Sequence, residues 1–176
     1  MEHLGLQDLA WLRKTIAERA LTRGDYILAG GSSSDYYIDK FRLFADPHIL
    51  RRIARMFTPI IAQLNPDLIG GTELGGVVIA TAVSQMSGLP MIAVRKTPKS
   101  YGAFANEYVE GPYHEGDRVL LLEDVVTNAT ELLVAAQRLR ELGLQVTPYA
   151  VISRGFAPVG ALIAFSLPRS EPKLEN

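Results

Sequence analysis

The sequence predicts an α/β fold, with a central, mostly parallel sheet flanked by helices. Short apolar runs alternate with segments whose apolar residues recur at helical spacing, as they do where helices connect parallel strands. The run Val119–Leu122 is apolar at every position, which is typical of a strand buried on both faces. The chain has 176 residues, enough for one domain with a substantial core.

Composition excludes several functional classes. The net charge is -1, so no global basic field attracts nucleic acid and no polybasic segment favours a membrane. The sequence contains no cysteine, which excludes disulfides, thiolate metal sites and a cysteine nucleophile. The first residues are too charged for a signal peptide, and no apolar run approaches ~18 residues. We therefore expect a cytoplasmic protein without a membrane span.

The N-terminal elements are predicted to be a helix and a hairpin. Leu6–Leu21 carries apolar residues at helical spacing, and we expect Gly24 to end that helix. The apolar runs Tyr26–Leu28 and Tyr36–Ile38 flank a turn rich in small residues, which predicts two paired strands.

A second helix should follow the hairpin. Asp46 supplies a capping carboxylate, and Pro47 is favourable in a first helical turn. The apolar face that begins there continues to Leu64, and we expect Pro59 to bend the helix.

The rest of the chain alternates strands and helices. A long polar segment, Thr97–Gly116, predicts a functional lid. Residues 1–45 form the predicted N-terminal part, 46–167 the α/β core and 168–176 a loose tail of one domain. The predicted core elements are strand Asp67–Gly70, helix Leu74–Met86, strands Met91–Val94 and Val119–Leu122, helix Leu132–Leu142, strand Val146–Ser153 and a last strand within Phe156–Leu167.

Two adjacent acids, Glu123 and Asp124, follow the strand Val119–Leu122 and precede a helix. Helix N-termini bind phosphate, and Thr127 and Thr130 would add hydroxyl donors. Carboxylate oxygens at this place suit a ribose diol or a magnesium ion. The alternative is an ordinary capped helix whose acids are only solvated, and the pattern alone leaves the two interpretations about even.

Four other segments carry candidate binding groups. The glycines of GGTELGG, residues 70–76, would let the backbone approach a ligand, or would simply form a turn. Arg95 and Lys96 end a strand ahead of Lys99, where a solvated basic loop is the alternative. The aromatic hairpin Tyr26–Lys40 either lines a pocket or packs on the core. Arg154 follows the last long strand, where its guanidinium suits a carboxylate or is that of an ordinary surface arginine.

Taken in order, these segments resemble the type I phosphoribosyltransferase family, most closely its orotate branch. The acid pair with V-V-T-x-x-T is similar to the family's signature for phosphoribosyl pyrophosphate (PRPP). The E-L-G-G tetrad, the R-K-x-x-K-x-Y-G segment and the Y-Y-x-D hairpin are similar to its other motifs. The resemblance covers about Leu21–Arg154 and implies the family's fold, with an N-terminal hood over the base.

The resemblance also implies a reaction. The family's orotate enzymes transfer phosphoribose from PRPP to orotate in pyrimidine nucleotide biosynthesis, giving orotidine 5′-phosphate and pyrophosphate, with Mg²⁺ carried by PRPP. It further implies a homodimer in which the lid reaches the neighbouring subunit's site. Implied catalytic residues are Lys99 and Asp124. Implied PRPP contacts are Glu73, Arg95, Lys96, Lys99, Tyr101, Glu123, Asp124, Thr127, Asn128, Ala129 and Thr130, and implied orotate contacts are Tyr36, Tyr37, Thr127 and Arg154.

The chain departs from the family's pattern in its phosphate loop, which has no glycine. Ala129 would incur about 1 kcal/mol in a left-handed conformation. Glu131 adds a negative charge, and two charges ~4 Å apart repel by about 4 kcal/mol at an effective dielectric near ~20, unless the side chain points into solvent. Ser153 replaces a usual aspartate, while Ala29 and Ser32 stand where basic residues are common.

A second hypothesis therefore stays open. A divergent protein of this fold would act on another base, or bind a nucleotide in a regulatory role without turnover. An unrelated Rossmann-like module is disfavoured because no G-x-G-x-x-G follows a predicted strand.

Overall fold

The computed structural model describes residues 5–28, 31, 33–98, 100, 108–155 and 157–167. The chain begins with helix α1, Leu6–Thr15, which continues through one π-helical turn, Ile16–Ala20. Strand β1, Leu21–Ile27, starts at once, so the predicted helix end at Gly24 is wrong. Gly24 lies inside β1, at a register irregularity where the ladder is interrupted and a residue without a side chain is readily accommodated.

The hairpin pairs β1 with β2, Ser33–Ile38, in an antiparallel two-stranded sheet. Both strands extend further toward the N-terminus than the apolar runs predict. A short helix that the sequence analysis did not predict, α2 at Phe41–Phe44, follows and buries Leu43 and Phe44.

The predicted second helix is two helices, α3 at Pro47–Arg55 and α4 at Thr58–Leu64. The carboxylate of Asp46 caps α3 by accepting from the backbone N–H of His48 at 2.9 Å. Pro59 does not bend a continuous helix. It lies in the first turn of α4, where its missing N–H would have no helical partner anyway.

The central sheet has six strands among the described residues, in the order β5-β4-β3-β6-β7-β8. The strands run parallel except β5, which pairs antiparallel with β4. This arrangement confirms the predicted α/β class. The elements are β3 Leu68–Thr72, α5 Gly75–Ser87, β4 Met91–Val94, β5 Val109–Glu110, β6 Arg118–Val126, α6 Thr130–Glu141, β7 Gln145–Ser153 and β8 Gly160–Ala164.

Three differences from the predicted elements affect the candidate site. Strand β3 continues through Thr72, so the first two glycines of GGTELGG lie in a buried strand and not in the turn. Strand β6 continues to Val126, so the acid pair lies inside it. Strand β5 occupies part of the segment predicted to be a lid; Lys99 and residues 101–107 of that segment lie outside the described residues.

Both faces of the sheet are covered. Leu120 and Leu122 of β6 pack in the cluster on the side of α1, α3 and α5, whereas Val119 and Leu121 pack in the cluster on the side of α6. The four residues are at most 2% exposed, as the continuous apolar run predicts. No helix in the described part of the chain is long and apolar enough to cross a membrane.

Candidate active site

The acid pair lies toward the carboxyl end of β6, the edge at which ligands bind in open α/β sheets. Asp124 is 4% exposed, and its Oδ2 lies 3.1 Å from Nζ of Lys40. Lys40 is the second residue after the end of β2, so the N-terminal hairpin places a cation next to the acid. The interpretation of these acids as merely solvated is therefore wrong for Asp124, since a carboxylate this buried needs its partner.

Glu123 is held differently from its neighbour. The hydroxyl of Thr72, at the end of β3, donates to Oε2 of Glu123 at 2.6 Å. Burial, together with the negative charge of Asp124, raises the pKa of Glu123 from 4.5 to about 7, although the Thr72 hydrogen bond opposes the shift. Near neutral pH, one acid of the pair is therefore paired with a lysine and the other binds a proton readily.

The glycines at the start of α5 allow this helix to approach β6 closely. A Cβ on Gly75 would overlap the carboxylate of Asp124, and a Cβ on Gly76 would clash with the backbone oxygen of Leu122. A Cβ on Gly71 would meet the backbone of α5 in the same way. The structure thus places GGTELGG against the acid pair, with each of these glycines required by a close approach.

Each of the predicted PRPP-binding cations in the described part of the chain has an acidic partner. Nζ of Lys96 lies 2.6 Å from Oε2 of Glu131, and this hydrogen bond raises the pKa of Lys96. The guanidinium of Arg95 lies 3.6 Å from Oε1 of Glu110 on the edge strand. Glu73 accepts a hydrogen bond from the backbone N–H of Lys96 at 2.9 Å, so its carboxylate organises this loop. Lys99 and Tyr101, predicted beside these residues, lie outside the described residues.

The phosphate loop adopts a left-handed backbone at Ala129, a conformation that costs more for alanine than for glycine. Ala129 has φ 59° and ψ 17°, the left-handed conformation, and helix α6 begins at the next residue, Thr130. Its methyl group is buried in the cluster on the α6 side, which offsets part of the conformational cost. Oδ1 of Asn128 accepts from the N–H of Thr130 at 3.3 Å. The side chain of Glu131 turns toward Lys96, and this contact neutralises part of the repulsion expected for a bound phosphate.

A cleft of about 710 Å³ lies between the hairpin and the ends of β6 and β7. Arg154 anchors it: one guanidinium nitrogen donates to the hydroxyl of Ser34 at 2.8 Å and to the carbonyl oxygen of Tyr36 at 3.1 Å. The guanidinium also lies 4.2 Å from the centroid of the Tyr36 ring. Thr127 lines the same cleft, which brings the phosphate loop and the predicted base site together.

Tyr37 is the predicted orotate contact that the structure does not bring to this cleft. Successive side chains of a strand point to opposite faces, and Tyr36 already occupies the face toward Arg154. Tyr37 is 39% exposed and packs against Tyr26, with ring centroids 5.5 Å apart.

Sequence reasoning missed three residues that organise the site: Lys40, Thr72 and Ser34. Thr72 is part of GGTELGG, but its contact with Glu123 depends on β3 continuing two residues beyond its predicted end. Ser34 belongs to the hairpin pattern, but its contact with Arg154 spans 120 positions. Lys40 follows the Y-Y-x-D pattern, yet nothing in its spacing relates it to Asp124.

The chain is similar in sequence and in structure to known proteins. No family model matches the chain. The chain is 39% identical over 141 residues to an orotate phosphoribosyltransferase of Thermococcus gammatolerans, a match that covers 79% of this chain and 74% of the relative. It is 38% identical over 143 residues to that of Pyrococcus furiosus, covering 80% and 78%. The solved orotate phosphoribosyltransferase of Mycobacterium tuberculosis superposes with a TM-score of 0.69 at 28% identity, covering 87% of this chain and 86% of that one.

Proposed function

Because the chain belongs to the orotate phosphoribosyltransferase family, we propose that it transfers phosphoribose from PRPP to orotate, giving orotidine 5′-phosphate and pyrophosphate. The observation that carries the proposal is the convergence of three features. A buried acid pair, the N-terminus of α6 and the cleft anchored by Arg154 meet at one edge of the sheet. The predicted phosphoribosyltransferase fold is confirmed by the same relatives.

In this proposal PRPP lies over the carboxyl end of β6. Glu123 and Asp124 accept hydrogen bonds from the ribose hydroxyls, and Thr127–Thr130 surround the 5-phosphate at the N-terminus of α6. The glycines of α5 leave room for backbone N–H groups to approach the pyrophosphate. Tight positioning supplies much of the catalysis, because the reaction needs no protein nucleophile.

Orotate occupies the cleft beneath the hairpin. The guanidinium of Arg154 pairs with its carboxylate, and Tyr36 and Thr127 line the same space. A ring nitrogen of orotate attacks the anomeric carbon while the bond from that carbon to the pyrophosphate oxygen breaks. Arg95, Lys96 and Lys99 then offset the charge that develops on the departing pyrophosphate. Lys96 must exchange Glu131 for pyrophosphate to do so.

We propose that Mg²⁺ arrives with PRPP. No group of three or more acidic or histidine side chains that could hold a metal is present among residues 5–28, 33–98, 108–155 and 157–167. Mg²⁺ commonly keeps several waters and is bound through substrate phosphates with one or two carboxylates. When bound, it would neutralise charge on the pyrophosphate. We also propose a cytoplasmic homodimer in which the segment 97–116 closes over the neighbouring subunit's site.

A spectrophotometric assay tests the function. Orotate should be consumed in the presence of PRPP and Mg²⁺, and omission of either should abolish the signal. Orotate that stays unchanged, in a folded preparation that also fails to bind PRPP in calorimetry, would exclude the proposal. Analytical ultracentrifugation would test the dimer. The activity of a mixed dimer of Lys99→Ala and Asp124→Asn subunits would test whether the site is shared.

A second candidate function is nucleotide binding without turnover, or action on another base. The observation that favours it is the Lys96–Glu131 pair, because it occupies a cation that pyrophosphate would use. PRPP or nucleotide binding in calorimetry without orotate consumption would support this alternative over the enzyme.

A further inference from the structure

We propose that Lys40 is a positioning residue for the acid pair, holding the carboxylate of Asp124 aimed at the ribose of PRPP. This inference rests on the proposed function and deepens it, because the resemblance gives Lys40 no role. The observation behind it is an ion pair between a cation at the end of the hairpin and a carboxylate inside the central sheet.

The contact is buried on the acid's side. The side chain of Asp124 is 5% exposed and that of Lys40 is 28% exposed, with 3.1 Å between Nζ and Oδ2. The other carboxylate oxygen of Asp124 accepts from the backbone N–H of Val125. Both oxygens therefore have fixed partners, and the carboxylate cannot rotate without losing one of them.

The backbone of Lys40 is itself anchored. Its carbonyl oxygen accepts from the N–H groups of Leu43 at 2.9 Å and Phe44 at 3.0 Å, which begins α2. The preceding residue, Asp39, donates its N–H to the carbonyl of Ala20 at 2.9 Å. Leu43 and Phe44 are buried in the core, so the base of the Lys40 side chain is held at a fixed distance from β6.

Among the described residues, Lys40 is the cation that contacts Asp124. Gly75 of α5 packs against the acid but carries no charge, and Thr72 of β3 reaches Glu123 instead. Lys96 interacts with both acids electrostatically, but its ammonium is bound to Glu131.

Without Lys40, Asp124 would have no cation in contact with it among the described residues. Its Oδ2 would lose a fixed partner, so the carboxylate could rotate away from the ribose hydroxyl for which it is the acceptor. The loss should affect PRPP binding, because orotate is bound under the hairpin by a different charge, Arg154. Lys40 thereby ties the hairpin that covers the base to the acid that binds the ribose.

The test compares Lys40→Met and Lys40→Arg with the wild type. Lys40→Met should raise the Kd of PRPP with Mg²⁺ and its KM by at least about 10-fold, since charge-assisted hydrogen bonds are involved. The turnover number and the KM of orotate should stay within about 3-fold, and Lys40→Arg should restore most of the PRPP affinity. Arg42→Met is the matched control, because Arg42 lies on α2 and pairs with the exposed Asp39.

A second background separates positioning from a general structural effect. In Asp124→Asn protein, Lys40→Met should add less than about 2-fold to the PRPP Kd, because the group it acts through is gone. An equal cost in both backgrounds would overturn the inference, as would a PRPP Kd for Lys40→Met within about 2-fold of the wild type. Wild-type protein that binds PRPP without consuming orotate would instead count against the proposed function alone, and the comparison of Kd values would still decide the role of Lys40.

Discussion

Two ion pairs flank the candidate site, and they differ in burial more than in length. Lys96 and Glu131 are separated by 2.6 Å, with side chains 57% and 63% exposed. Lys40 and Asp124 are separated by 3.1 Å, with side chains 28% and 5% exposed. Water screens the shorter pair, and ordering two long side chains offsets most of its attraction. Breaking the longer pair leaves a buried charge without solvent. Burial therefore decides which pair organises the site.

The largest expected effect follows from removing the cation of the buried pair. Lys40→Met should lower the free energy of unfolding by about 3 kcal/mol, because Asp124, whose side chain is 5% exposed, loses its partner inside the fold. Lys96→Met, the matched change in the exposed pair, should lower it by less than about 1 kcal/mol. Urea unfolding followed by circular dichroism measures both. Equal losses would show that burial does not separate the two pairs.

A pH dependence should distinguish the buried acids from the exposed pair. The folded-state pKa of Glu123 is about 7 against an ordinary 4.5, so the folded chain binds this proton more tightly than the unfolded chain. The contribution to stability is full below about 4.5 and is lost as pH rises through about 7. It amounts to at most about 3 kcal/mol at 1.36 kcal/mol per pKa unit. Unfolding at pH 5 and pH 8 should show wild type losing more stability than Glu123→Gln; parallel losses would contradict this account.

In the cleft under the hairpin, the neutral oxygens of Ser34 and Tyr36 orient the charged guanidinium of Arg154. We expect an effect between those of the two ion pairs. Arg154→Lys keeps the positive charge but loses the planar guanidinium that Ser34 and Tyr36 orient. We expect the KM of orotate to rise about 10-fold to 100-fold, with that of PRPP little changed. Arg13→Lys is a control. Within the described part of the chain, the guanidinium of Arg13 donates to the carbonyl of Ala164, and neither residue lines the cleft. Steady-state kinetics with each substrate varied would reveal the split, and a larger change for PRPP would argue against an orotate contact.

The smallest effect is expected at the exposed pair itself. Glu131→Ser should tighten PRPP binding by about 3-fold to 10-fold, because it removes a charge near the 5-phosphate and releases Lys96. The gain stays modest because solvent already screens the carboxylate. Calorimetric titration with PRPP measures it, with Glu141→Ser at the far end of α6 as the control. Unchanged affinity would mean that Glu131 does not compete with the phosphate.

The alternation of strands and helices was predictable from the sequence because apolar periodicity reports burial directly. Strand β7 and helix α6 begin within two residues of their predicted starts. The end of β3 was not predictable, since glycine has little intrinsic preference for strands. Gly71 is there because α5 packs against it too closely for a side chain, and that contact exists only after folding.

Sequence patterns located candidate groups that are adjacent in the chain and missed those that only folding brings together. The acid pair, the phosphate loop and Arg154 were found from local patterns, and the structure brings them to one edge of the sheet. Ala129 has the left-handed backbone for which the missing glycine implied a cost. Lys40 reaches an acid 84 positions away through a side chain that no periodicity singles out. Tyr37 was assigned beside Tyr36 although neighbouring strand residues face opposite sides.

The overlap between residue 75 and Asp124 limits the order in which this chain can change during evolution. A side chain at residue 75 would occupy the space of the carboxylate, so the acid must be replaced or displaced before any larger residue can be accepted there. A lineage that first lost the acid could then accept a side chain at residue 75 more readily. Recovery of the acid would afterwards require two coordinated substitutions. The contact between Gly75 and Asp124 therefore makes loss of this site easier than its return.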